Sequence, residues 1–185
     1  MNTAISMLRG INVGGQKKVP MEELKKCYES LGFENIRTYI QSGNVVFDYQ
    51  GTDTPDLAER LERGIRNTFG FDVTVVIRTS GEMLKVIRAF PFTSEEEAFA
   101  HVTFLSKAPS SFPVEEVEKA RGIGEKCVPA GREVYLYCPN GYGRTKLSNS
   151  LFERKLKVEA TTRNWRTVGA LYALARRGSI SDSYE

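Results

Sequence analysis

Two loops of this sequence combine glycines with basic residues and contain no acid, a composition suited to binding phosphate. They are residues 10–18 and 140–146. Neither matches a standard nucleotide-binding spacing. The second loop precedes a predicted helix, so backbone N–H groups, the helix dipole and the side chains of Arg144 and Lys146 could together bind an anion. The alternative is a glycine turn with solvated cations.

Residues for acid–base, nucleophilic or metal chemistry are scarce. The one histidine, His101, begins an apolar stretch, and no serine or cysteine nucleophile motif accompanies it. Cys27, Cys127 and Cys138 are too far apart in sequence for a usual zinc set. We therefore predict no metal site and no cofactor, and leave open whether the protein is an enzyme.

Composition places the chain among ordinary globular proteins. It has 185 residues, of which 41% are hydrophobic and 26% charged, which excludes collagen, coiled coils and disorder. No apolar run is long enough to span a bilayer, and the N-terminus lacks the pattern of a signal peptide. An odd number of cysteines argues against a disulfide framework. We expect a cytoplasmic protein with no membrane partner.

The net charge of +3 conceals an uneven distribution. Residues 138–178 contain nine Lys or Arg and two Glu, whereas residues 93–137 carry about three more acids than bases. Such a concentration of positive charge can attract anionic partners. A partner, whether a small anion or a nucleic acid, is therefore expected near residues 138–178.

The elements that must position these residues form a repeated pattern. Strands are predicted at 4–9, 36–40, 45–49 and 73–77. One helix is predicted with Pro20 in its first turn, and a second helix with Thr54 as its cap. Their order, βαββαβ, is the ferredoxin-like unit. A capping box of Thr79 and Glu82 begins a third helix, which ends at Pro91.

The same order follows in the second half of the chain. Strands are predicted at 100–105, 126–129, 133–137 and 158–161, and helices at 114–120, 147–156 and 164–176. Residues 19–26 and 112–119 are also alike in sequence, which favours an internal duplication over convergence on a common unit. We predict an α+β protein with two tandem ferredoxin-like (βαββαβ) units, residues 1–92 and 93–178, the second with an added C-terminal helix. Residues 179–185 are predicted to be a polar tail.

Ferredoxin-like units invite comparison with RNA-recognition domains, whose third strand carries stacking aromatics. Here residues 43–49 lack the leading basic residue and the usual aromatic positions. We interpret Val45, Phe47 and Tyr49 as one face of a half-buried strand. Trp165 is likewise interpreted as a core residue of the last helix, whose N-cap is Asn164.

Four segments carry a resemblance to a known family. Residues 8–15, 39–47, 141–147 and 160–168 closely resemble motifs of the family called domain of unknown function 1697. The resemblance implies an uncharacterised cytosolic bacterial protein built from two ferredoxin-like halves. It implies no reaction and no ligand.

The polar residues of these motifs lead to a hypothesis about function. Gly, Asn, Arg, Ser and Thr at strand ends and helix starts are typical of sites for small polar ligands. We expect a cleft between the two halves that binds a small phosphate-bearing ligand without catalysis, formed by Arg9, Asn12, Gln41, Ser42, Asn44, Arg144, Lys146, Arg163 and Asn164.

Three alternatives remain at this point. The basic stretch 138–178 could bind nucleic acid, or positioned Arg, Lys and Asn groups could catalyse a reaction without metal. The same motif residues could also only build turns and helix caps that hold the halves together. The oligomeric state is left open.

Overall fold

The computed structural model describes residues 1–51 and 53–178, so the predicted tail at 179–185 lies outside the described residues. The chain divides into two compact units. Unit 1 is Met1–Lys85 together with the C-terminal segment from Ala170, and unit 2 is Val86–Gly169. Within the described ranges, no helix has the length and apolar character needed to cross a membrane.

Unit 1 is a four-stranded antiparallel sheet with helices that follow the predicted order. The sheet order is β2-β3-β1-β4. The elements are β1 (Asn2–Leu8), α1 (Met21–Ser30), β2 (Glu34–Tyr39), β3 (Asn44–Tyr49), α2 (Thr54–Phe69), β4 (Val75–Thr79) and α3 (Ser80–Arg88), the last of which ends in unit 2.

Local signals explain where the helices of unit 1 begin. The Thr79 amide donates to Glu82 (2.8 Å) and the Glu82 amide donates to Thr79 (3.2 Å), so the predicted capping box starts α3. The prediction of Thr54 as the cap of α2 is wrong by one residue. Asp53 has the extended backbone of the N-cap position, and Thr54 is the first helical residue.

Strands β1, β3 and β4 of the unit 1 sheet are buried on both faces. Phe47 and Tyr49 of β3 pack with α1 and α2 residues in one apolar cluster. On the opposite face, Ile5 of β1 and Arg78 of β4 are also buried, and all six residues of β3 are buried. The interpretation of β3 as a half-buried strand is therefore wrong, because its Asn44 and Asp48 are buried too.

Unit 2 repeats the arrangement with sheet order β6-β7-β5-β8. Its elements, including two short 3-10 helices, are the 3-10 helix Ser94–Phe99, β5 (Ala100–Leu105), α4 (Val114–Ala120), β6 (Lys126–Ala130), β7 (Glu133–Tyr137), the 3-10 helix Tyr142–Arg144, α5 (Asn149–Leu156), β8 (Ala160–Asn164) and α6 (Trp165–Gly178), which ends in unit 1. The predicted α+β fold of two ferredoxin-like units is confirmed.

The two last strands correspond residue by residue. Arg78 of β4 and Arg163 of β8 are both buried, and each precedes the residue that caps the following helix. The caps are Thr79 for α3 and Asn164 for α6. Each half of the chain is therefore βαββαβα, and the C-terminal helix α6 is the counterpart of α3.

Candidate functional site

In unit 1, the polar side chain of Asn12 is used to hold loops together. Its Nδ2 donates to the carbonyl oxygens of Val19 (3.0 Å) and Gln41 (2.8 Å), and its Oδ1 accepts from the Val19 amide (2.8 Å). Its backbone lies in the left-handed region at φ 54°, which asparagine tolerates well. Asn12 therefore ties the glycine loop to the start of α1 and to the turn after β2.

The turn between β2 and β3 uses its own polar groups in the same way. Asn44 is buried, and its Nδ2 donates to Ser42 Oγ (2.8 Å) and to the Tyr39 carbonyl (3.2 Å). Gly43 has φ 72°, and a Cβ there would lie 2.7 Å from Leu8 Cβ. These contacts fix the turn tightly against the end of β1.

Arg9 and Gln41 complete the predicted set in unit 1. Arg9 is half-buried and its amide donates to the Thr74 carbonyl (2.9 Å), while the Gln41 side chain is exposed. Most of the motif's polar groups in this unit thus serve its turns.

Two clefts in unit 1, of about 410 and 310 Å³, lie at the other end of the sheet. Neither is lined by a predicted site residue. The larger one is lined by Tyr49, Asp53 and Glu82, among others. Desolvation by burial, together with the charges of Glu82 and Asp53, raises the pKa of the Tyr49 hydroxyl. A negative cleft of this kind is poorly suited to an anion.

In unit 2, the second glycine loop is fixed by a short hydrogen-bond relay. Thr145 Oγ1 donates to Glu125 Oε2 (2.9 Å) and accepts from the Leu147 amide (3.0 Å). The same carboxylate, only 5% exposed, accepts from the Gly122 amide (2.8 Å). The relay anchors the loop from which Arg144 and Lys146 extend into solvent. Neither Glu125 nor its pairing with Thr145, twenty residues away, gives any signal in the sequence.

The starts of α5 and α6 are joined through β8. Thr162 Oγ1 donates to Asn149 Oδ1 at the first residue of α5 (2.6 Å) and is itself bonded to Thr103 (2.7 Å). Two residues later, Asn164 Oδ1 accepts from the Thr167 amide (2.8 Å), as expected of the predicted N-cap. Sequence reasoning missed the role of Thr162 and Asn149.

Arg163, the residue before the N-cap of α6, is a buried cation. It is 8% exposed and donates to Thr161 Oγ1 (2.7 Å) and to the Thr162 carbonyl (2.9 Å). Burial lowers the pKa of its guanidinium to about 10. Tyr142, from the glycine loop, is close enough to interact with this charge.

Tyr142 places the loop beside the start of α6. Its ring stacks on His101 with centroids 4.8 Å apart, and His101 pairs with Asn164 across the β5–β8 ladder. Burial raises the pKa of the Tyr142 hydroxyl, and nearby Thr162 offsets part of this. The buried Tyr142 hydroxyl has no hydrogen-bond partner among the described residues.

Four of the nine predicted residues thus belong to one region of unit 2. We use the name "basic corner" for five residues around the starts of α5 and α6: Arg144, Lys146, Arg163, Asn164 and Arg166. The other five, Arg9, Asn12, Gln41, Ser42 and Asn44, belong to unit 1. The cleft formed by all nine residues stays a prediction.

The charges at the helix starts set the basic corner apart. In the described chain, α1 to α4 each carry an acid in the first turn, which favours the positive end of the helix dipole. No acid occupies the first turn of α5 or α6. Arg144 and Lys146 precede α5, and Arg166 lies in the first turn of α6.

Comparison with known proteins identifies the family. Residues 1–135 match the family described as protein of unknown function (DUF1697). The chain belongs to the DUF1697 family. The matched part ends in β7, so it contains the loops of Asn12 and Asn44 but not the basic corner.

Two further proteins are similar to this DUF1697 chain. A solved structure described as the conserved bacterial protein SP0830 from Streptococcus pneumoniae has 23% sequence identity and a TM-score of 0.72, and the match covers 94% of this chain and 98% of that one. It supports the fold alone. The clustered mitochondria protein of Arabidopsis thaliana is 26% identical over 113 residues, which is 61% of this chain and 8% of that protein's length.

Proposed function

We propose that this DUF1697 protein binds a small phosphate-bearing anion at the basic corner, without catalysis of its own. The observation that carries the proposal is the pair of helix starts linked through Thr162: unlike α1 to α4, neither has an acid in its first turn, while Arg144 and Lys146 precede α5 and Arg166 lies in the first turn of α6. Cations at the positive end of a helix dipole repel it, and a bound anion relieves that repulsion.

The rigidity of the loop also supports binding. Arg144 and Lys146 extend from a backbone held by Thr145 and Glu125, so little backbone conformational entropy is lost when a ligand contacts them. Their side chains are exposed and form no ion pair within residues 53–178. Both cations are therefore available to a phosphate.

Cysteine chemistry is consistent with action in a reducing compartment, and we propose the cytoplasm. Cys27, Cys127 and Cys138 are all free. Burial raises the pKa of Cys127 to about 12 and that of Cys138 to about 11, which keeps both as unreactive thiols.

A thermal-shift and calorimetric titration tests the proposal. The ligands are pyrophosphate, ribose 5-phosphate and adenosine monophosphate. A ligand at 100 times its dissociation constant stabilises the folded protein by about 2.7 kcal/mol. At 2–4 °C per kcal/mol this raises the melting temperature by roughly 5–11 °C.

A double variant locates the effect. Arg144→Ala with Lys146→Ala should abolish the shift, whereas Arg154→Ala, which removes a cation near the other end of α5, should retain it. The proposal is wrong if none of the three phosphates binds, or if the double variant binds as tightly as the wild type.

A further inference from the structure

A row of aromatic rings in unit 2 runs along the same end of the sheet as the basic corner. Trp165 stacks on Phe90 with centroids 4.0 Å apart, Phe90 meets Phe92 at 5.5 Å, and Phe92 meets Tyr137 at 6.2 Å. Phe99 continues the row, 6.4 Å from Tyr137. We call these five residues the aromatic row.

The aromatic row is accessible to solvent. Phe99 is 44% exposed, and the other four rings are half-buried. The rest of the sheet face behind them is closed, because Val102, Phe104 and Tyr135 are buried. A flat ligand ring can therefore reach the aromatic row but not the sheet face that RNA-recognition domains use.

The aromatic row adjoins the α6 side of the basic corner. Trp165 is the first residue of α6 and lies between Asn164 and Arg166 of the basic corner. Strand register pairs Val102 with both Tyr135 and Arg163, so Arg163 and Tyr137 lie on one sheet face. Positive charge is thus concentrated at the Trp165 end.

The opposite end of the aromatic row has a different charge. Lys126 lies 6.0 Å from the Phe92 ring and 5.5 Å from the Tyr137 ring, but it is paired with Glu96. Glu95 and Glu97 belong to the 3-10 helix that ends at Phe99. A phosphate is therefore favoured near Trp165 and disfavoured near Phe99.

We propose that the ligand of the basic corner is a nucleotide unit, whose base stacks at the Trp165–Phe90–Phe92 end of the aromatic row while its phosphate lies at the basic corner. This inference rests on the proposed function and specifies its ligand. Stacking of a base on an aromatic side chain contributes about 1–3 kcal/mol, which is roughly 5- to 150-fold in affinity. The same base and phosphate occur in mononucleotides and in single-stranded nucleic acid.

The first test compares ligands on the wild-type protein. We expect adenosine monophosphate to bind at least 5-fold more tightly than ribose 5-phosphate. The nucleotide should also quench the fluorescence of Trp165, the one tryptophan in the sequence. An eight-nucleotide RNA at 50 and 200 mM salt separates the two sources, since each phosphate neutralised along a strand steepens the salt dependence.

The second test removes rings while retaining apolar volume. Phe92→Leu should lower affinity for adenosine monophosphate at least 5-fold and leave ribose 5-phosphate binding unchanged. Phe112→Leu, the same substitution outside the aromatic row, is the control and should change neither.

The outcomes separate this inference from the proposed function. Equal affinity for adenosine monophosphate and ribose 5-phosphate, with unchanged Trp165 fluorescence, overturns base stacking and leaves anion binding standing. The same conclusion follows if Phe92→Leu and Phe112→Leu bind the nucleotide equally well. Failure of all the phosphates to bind overturns both proposals.

Discussion

Thr145 is the residue whose replacement tests the loop architecture most directly. Its hydroxyl donates to the buried carboxylate of Glu125 and accepts from the amide of Leu147, which is itself buried. Thr145→Val keeps the shape and the β-branch of the side chain and removes both bonds. Thr145→Ser keeps the hydroxyl and removes a methyl group, so it is the matched control.

The loss expected from the valine variant follows from the two bonds. A hydrogen bond to a charged group contributes about 1.5–3 kcal/mol, and a neutral one about 0.5–1.5 kcal/mol. Because Thr145 is half-buried, water replaces part of what is lost. We expect a decrease of about 2–3 kcal/mol in the free energy of unfolding, against less than about 1 kcal/mol for serine.

Urea denaturation followed by Trp165 fluorescence measures this difference. At 2–4 °C per kcal/mol, the valine variant should also melt roughly 4–12 °C lower than the wild type. Its affinity for phosphate should fall as well, because the loop no longer holds Arg144 and Lys146 in position. Equal urea midpoints for the valine and serine variants would show that the relay does not anchor the loop.

Three further predictions concern stability. Asn12→Ala removes three hydrogen bonds and should cost about 2–4 kcal/mol in urea denaturation; a cost below 0.5 kcal/mol would show that the side chain is free for another role. Gly43→Ala places a Cβ against Leu8 at a positive φ and should lower the free energy of unfolding by about 2 kcal/mol or more. Equal urea midpoints for this variant and the wild type would contradict the prediction. Burial lowers the pKa of His101 from its usual 6.5, so the unfolded chain takes up more protons on acidification and stability should fall below about pH 6.5. His101→Phe, which retains a ring against Tyr142, should flatten this dependence between pH 7.5 and 5.5, and an unchanged slope of urea midpoint with pH would refute the assignment.

Local patterns were enough to predict most of the fold. The spacing of Leu57, Leu61 and Ile65 predicts the buried face of α2, and all three are inaccessible. The position of β8 was harder to predict, because residues 161–164 are polar and polar runs are typical of loops. Thr162 bonds to Thr103 and Asn149, partners that only the folded sheet brings together, and Arg163 donates to Thr161 on the same strand.

The candidate site was less accessible to sequence reasoning because the same chemistry builds turns and binds ligands. The amide of Asn12 is a good ligand for a phosphate and an equally good partner for backbone carbonyls, and residue type alone cannot separate these uses. Glu125 shows the opposite case. It lies outside every motif, yet it fixes the loop that carries Arg144 and Lys146.

Assignment of the chain from Ala170 to unit 1 has a consequence for synthesis on the ribosome. Arg37 of β2 donates to the carbonyl of Leu174 (2.7 Å), so this hydrogen bond can form only after synthesis has passed residue 174. At 5–20 residues per second, those partners emerge roughly 7–27 s apart. Unit 2 is one continuous segment that ends at Gly169, so all of its residues have been made before Leu174. The last contacts to form are therefore contacts within unit 1, although unit 1 contains the N-terminal residues.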